Sequence, residues 1–76
     1  MGRLHYRHGT DLLVLSQRPD GRWVFTYRRE TMGSWDSPIT AIDHIRSGST
    51  GHHGWDTRAD AQDVPDDLRV WSPAPA

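Results

Sequence analysis

Polar and apolar residues alternate from Arg3 to His8, which places Leu4 and Tyr6 on one face of a short strand, and Gly9-Thr10 supplies a tight turn. Leu12-Leu13-Val14-Leu15 then breaks the alternation with a continuous apolar run. The run is too short for a helix and has turn residues on both sides, the pattern of a central strand covered on both faces. Arg18-Pro19-Asp20-Gly21 follows, with a proline whose φ is preset for a turn and a glycine able to take positive φ. From Arg22 to Thr31 the chain is rich in β-formers: Trp23, Phe25 and Tyr27 share one face, while Arg22, Val24, Thr26 and Arg28 share the other. Together these segments predict a three-stranded antiparallel meander. Its aromatic row belongs in the core, and its arginines lie in solvent or against a partner.

Periodicity changes after residue 36. Ser37 before Pro38 has the form of an N-cap followed by proline at the first helical position, where the missing N–H costs nothing. Ile39, Ile42 and Ile45 recur at a spacing of three, Ala41 lies beside them, and Gly48 is placed to stop the helix in the left-handed conformation. An amphipathic helix is therefore expected from about residue 38 to 47. "SWDSPITAID" has a partial echo in "GWDTRADAQD", where Thr57 and Asp60 form a capping-box variant. So few apolar residues follow that only a turn or two can form. We read the pair as one capping solution used twice, since a repeat array needs at least three units to bury a continuous core. Ser47 to Gly54 reads as a mobile loop, Leu68 to Trp71 as a short C-terminal strand or extended segment, and residues 72–76 as a disordered tail.

The chain has 76 residues, enough for one small domain and not for two. The expected fold is a single α+β domain over residues 1–71. Cysteine is absent, which removes disulfides, thiolate zinc sites and a cysteine nucleophile and fits a reducing compartment, the cytoplasm. No apolar stretch is long enough for a signal core or a membrane span. All nine basic residues are arginine, a hint of a GC-rich bacterial or phage genome. Arg3, Arg7, Arg18, Arg22, Arg28 and Arg29 precede residue 31, against Asp11, Asp20 and Glu30, whereas aspartate dominates the remainder. Such a split suits either a face for a polyanion or two halves of a fold that attract each other.

Chemistry-bearing motifs are sparse. The five histidines (His5, His8, His44, His52, His53) show no pair at a spacing that zinc sites favour. No nucleophile elbow or P-loop is present, and the chain lacks lysine for Schiff-base or phosphate chemistry. Asp66-Asp67 sit in an apparent turn, where solvated aspartates are ordinary. The reading is of a protein that is not an enzyme and uses neither cofactor nor metal.

Binding remains. Arg3, Arg7, Arg22, Arg28 and Arg29 could present guanidinium groups from a sheet to nucleic acid. "GRWVFTYRRE" followed by "GSWDSPITAID" also resembles, in outline over residues 18–43, the strand-then-helix segment of plant-type DNA-binding domains and of integrase N-terminal domains, where a three-stranded sheet contacts DNA. The pattern departs from theirs in showing no separate strand and turn between Arg29 and Gly33 and in its acidic C-terminal third, so no DNA-contacting residues are carried over. The preferred expectation is a small accessory or regulatory module that binds a protein partner, with nucleic-acid binding through the arginine face as the alternative. Trp55 and Trp71 join the arginines as candidate contacts, because tryptophan and arginine are enriched in interface hot spots and these two are expected to be partly exposed. An uncovered edge strand could also be paired by a second copy, which leaves the oligomeric state open.

Overall fold

A computed structural model describes residues 2–73. The chain forms β1 (Arg3–His8), β2 (Asp11–Gln17), β3 (Trp23–Tyr27), β4 (Glu30–Trp35), α1 (Pro38–Ser47), the single-turn α2 (His53–Asp56), a 3-10 turn (Ala61–Asp63) and the two-residue β5 (Ser72–Pro73). It is an α+β domain: four antiparallel strands run as a meander, β5 adds to the outer edge of β1, and one main helix packs on the sheet. Residues 74–76, the rest of the tail expected to be disordered, lie outside the described residues.

The meander has one strand more than the pattern implied. Arg22 to Thr31 is not one strand, because the chain reverses at Arg28 and Arg29, whose φ angles are +51° and +69°. Tyr27 then pairs with Glu30 across a two-residue turn. Positive φ at both central positions is the type I′ geometry that matches strand twist, a place where asparagine and glycine are usual. Two arginines conceal it. The separate strand and turn missing from the sequence outline are therefore present, as β4 and the Arg28-Arg29 turn. β4 also carries a bulge: Trp23 faces Trp35 and Phe25 faces Met32, so Gly33 and Ser34 together oppose Val24. Gly33 has φ +82°, and a side chain there would run into the Trp35 ring.

The helix lies where its signals put it. The Ser37 hydroxyl accepts from the Thr40 N–H at 3.1 Å, and Gly48 closes the C-terminus in the left-handed region with φ +69°. Ala41, Ile42 and Ile45 are buried, whereas Ile39 faces solvent. Opposite them the sheet contributes Leu13, Leu15, Trp23, Phe25, Tyr27 and Trp35, with Leu4 and Tyr6 at the margin. Trp35 stacks on the His44 ring with centroids 5.4 Å apart.

The second tryptophan motif works differently from the first. Thr57 ends α2 and does not begin a helix; His52 is the N-cap, its ring accepting from the Trp55 N–H. The Asp56 carboxylate bonds back to the Thr50 N–H, the Thr50 hydroxyl and the Gly51 N–H at 2.7–3.0 Å. In the first motif, Asp36 reaches across to Arg22 instead. The segment expected to be mobile is thus a bonded loop, with Thr50 and His52 buried. Leu68 to Trp71 is likewise not a strand. Asp67 and Leu68 carbonyls accept from the Val70 and Trp71 N–H groups in a turn, and strand pairing begins only at Ser72, opposite His5.

Candidate binding face of the sheet

Among the described residues, α1, α2 and the 3-10 turn pack on one side of the sheet. In β1, Leu4 and Tyr6 pack against the core, so alternation turns Arg3, His5 and Arg7 to the opposite side. Register sets Ser16, Val14 and Leu12 of β2 beside them in that order. The apolar run Leu12 to Leu15 is therefore covered on one face only: Leu13 and Leu15 are fully buried, while Leu12 is 43% exposed. The turn before β5 brings in Val70, which is 49% exposed. These side chains line an open groove of about 470 Å³, with an aliphatic floor of Leu12, Val14 and Val70 and an arginine towards either end of β1.

Arg3 and Arg7 are exposed, and among the described residues neither has an ion-pair partner. His5 lies between them, and its Nδ1 is buried without a hydrogen-bond partner among the described residues. A buried imidazole nitrogen in that state costs on the order of 1 kcal/mol or more.

The other sequence-predicted contacts are elsewhere. Arg22 is held at the open end of the β3–β4 hairpin by the Ser34 hydroxyl, the Ser34 carbonyl at 2.7 Å and Asp36 at 2.6 Å. Arg28 leans over the Tyr27 ring and reaches Asp11 at 3.5 Å. Arg29 stands exposed at the hairpin tip. Trp55 and Trp71 are not partly exposed, as expected from the sequence, but 0% and 2% accessible. Their indole N–H groups donate to the Ile45 carbonyl at 2.9 Å and the Pro65 carbonyl at 3.2 Å. A core this small takes every large ring within reach. Of the residues singled out, the fold brings together only Arg3 and Arg7. It adds His5, Leu12, Val14 and Val70, which sequence reasoning did not select. The available signal was arithmetic: a single amphipathic helix cannot cover both faces of a sheet.

The chain matches no protein-family model, no curated protein and no solved structure. Function must therefore be argued from the side chains.

A second concentration of polar groups lies on the core side, where the β1–β2 turn meets residues 58–60. Arg58 donates to Asp11 at 2.5 Å, to Asp60 at 2.7 and 2.8 Å, and to the Tyr27 hydroxyl at 2.9 Å, and its guanidinium sits 5.2 Å from the centre of the Trp55 ring. His8 completes the cluster with a 3.0 Å contact to Asp60. Hydrogen bonds from Arg58 hold the Asp60 carboxyl down at about 2 and lower Asp11 as well, while the two carboxylates and the Tyr27 hydroxyl raise Arg58. Each charge answers another, and together they pin residues 58–60 to the β1–β2 turn and the end of β3. At Asp56, burial pushes the carboxyl up, but the bonds from Thr50 and Gly51 outweigh it and the net direction is down.

The histidines are dispersed among separate tasks. His44 contacts Ser49, and His52 bridges the Trp55 N–H and the Tyr27 carbonyl. Among the described residues, no three His, Asp or Glu side chains converge as a metal site would require. No described helix is long and apolar enough to cross a membrane.

Proposed function

We propose that this protein is a non-enzymatic accessory or regulatory module that holds a protein partner on the open face of its sheet. The observation that carries the reading is the groove beside β1, where the exposed aliphatic side chains Leu12 and Val70 lie among arginines that have no ion-pair partner among the described residues. Protein interfaces combine an apolar centre with a polar rim in which arginine is enriched. Interfaces with DNA are more polar and much more positively charged. The absence of cysteine fits a cytoplasmic setting, and arginine without lysine fits a bacterial or phage source.

Binding of nucleic acid through the same face is the second reading, favoured by the two unpaired arginines. Against it, Arg22 and Arg28, two further members of the proposed basic surface, already face Asp36 and Asp11, and Arg29 stands apart from the groove at the β3–β4 hairpin tip.

Affinity capture with the intact chain tests the first reading. A partner retained by wild type should be lost with Leu12→Ser or Arg7→Ala and kept with Asp43→Ala, an exposed change on α1, across the sheet from the groove. Equal retention by all of them would move the interface elsewhere. Amide NMR titration with a short mixed-sequence duplex and a single strand tests the second. Saturable, salt-sensitive shifts at Arg3 and Arg7 would replace the protein reading with the nucleic-acid one.

A further inference from the structure

We infer that the groove takes an extended segment of a partner protein that carries two carboxylates four residues apart with a branched aliphatic side chain midway between them. This inference rests on the open-face reading above and specifies the chemistry of its ligand.

Arg3 and Arg7 lie on the same face of β1, separated by four residues, which at about 3.3 Å per residue is roughly 13 Å. A peptide lying extended along the groove has the same rise and alternation. Carboxylates at its first and fifth positions match the two guanidinium groups, a geometry in which arginine can bind a carboxylate with two parallel hydrogen bonds. Its third position points the same way as the first and fifth, and so falls over His5, beside Val14 of β2 and Ser72 of β5, with Leu12 one residue pair further on, at Arg7. Val14 and the neighbouring Leu12 give that position an aliphatic wall, which selects an aliphatic residue. The second and fourth positions face outward and are free.

Alternative occupants fit less well. A second copy using the same patch would place arginines against arginines, because a two-fold interface meets itself. The acidic segment of this chain is already engaged: Asp66 pairs with Arg46, Asp67 with Arg69, and Val64 is buried in the core. A nucleic-acid strand would bring phosphates for the arginines but nothing aliphatic for Leu12 and Val70.

The test is selection from a library of random seven-residue peptides displayed against the intact protein, followed by amide NMR titration with the enriched peptides. The expected consensus is acidic residues at a spacing of four around valine, isoleucine or leucine. Shifts should be confined to Arg3–Arg7, Leu12–Val14 and Val70. Arg3→Gln and Arg7→Gln, both exposed changes expected to leave the fold intact, should each weaken binding about tenfold or more, and raised salt should weaken it further. Peptides that bind these same residues but lack the acidic pair would overturn this inference and leave the open-face reading standing. Failure to enrich any peptide would overturn this inference and leave the open-face reading to the capture experiment; shifts elsewhere on the surface would overturn both. So would saturable binding of a mixed-sequence DNA duplex at physiological salt that excludes the selected peptides.

Discussion

Replacing Arg29 by glycine should make this protein more stable. Arg29 holds φ +69° in the β3–β4 turn, a region where an L side chain costs roughly 1–2 kcal/mol. Glycine removes that cost but adds unfolded-state entropy, about 0.5–1 kcal/mol in the other direction. The Arg29 side chain is exposed and has no ion-pair partner among the described residues, so little else is lost. The net gain is about 0.5–1 kcal/mol. For a domain of this size, that corresponds to a rise in Tm of roughly 4 °C. Urea unfolding followed by fluorescence reads it well, since Trp23, Trp35, Trp55 and Trp71 are all buried. Arg29→Ala is the control: it deletes the same side chain but retains the strain. If the glycine variant is no more stable than the alanine variant, the backbone argument fails. Arg29 lies outside the groove, so Arg29→Gly should also leave the affinity of any groove ligand unchanged.

Other perturbations have directions fixed by the same contacts. His52→Ala takes the imidazole from the buried Tyr27 carbonyl, while the Trp55 N–H keeps its bond to the backbone carbonyl of residue 52, and should cost about 2 kcal/mol in urea unfolding; a loss under about 1 kcal/mol would mean the loop keeps its form without the imidazole. Gly33→Ala combines positive φ with a clash against Trp35, and a cost of about 2 kcal/mol or more is expected, with loss of the ordered Trp35 and His44 ring signals in NMR. For pH, the relevant carboxyls (Asp11, Asp56, Asp60, Asp67) are all depressed in the folded state, so their stabilisation is complete above the unfolded range near pH 4 and is lost as pH falls through the folded values, to about 2 for Asp60. Urea midpoints measured from pH 5 downward should therefore fall, and Asp60→Asn should flatten part of that fall; a slope identical to wild type would show that the Arg58 bonds to Asp60 do not contribute.

The parts of the fold legible in the sequence are those marked by residues with narrow backbone preferences. Ser37, Pro38 and Gly48 delimit the helix because hydroxyl cap, fixed φ and left-handed stop leave few other readings. Pro19 and Gly21 mark the β2–β3 turn in the same manner. The β3–β4 turn left no such mark, since Arg28 and Arg29 occupy left-handed positions against their own preference. The loop before α2 reads as mobile in the sequence because its order comes from a carboxylate downstream, Asp56, and not from the composition of the loop itself. For the candidate face, the arginines of β1 could be picked out, but their neighbours could not. Leu12 and Val70 are exposed because no other described element packs over them, a property of the assembled fold and not of either segment.

That one-sided burial separates two kinds of selection on the chain. Substitutions at Leu13, Phe25 or Trp55 act on whether the protein folds, whereas those at Arg3, His5, Arg7 and Leu12 act on a surface whose opposite side already holds the sheet together. A library randomised at the second set should return mostly folded members, so if the groove binds as proposed, the same 76-residue frame is open to a change of ligand without first acquiring extra stability.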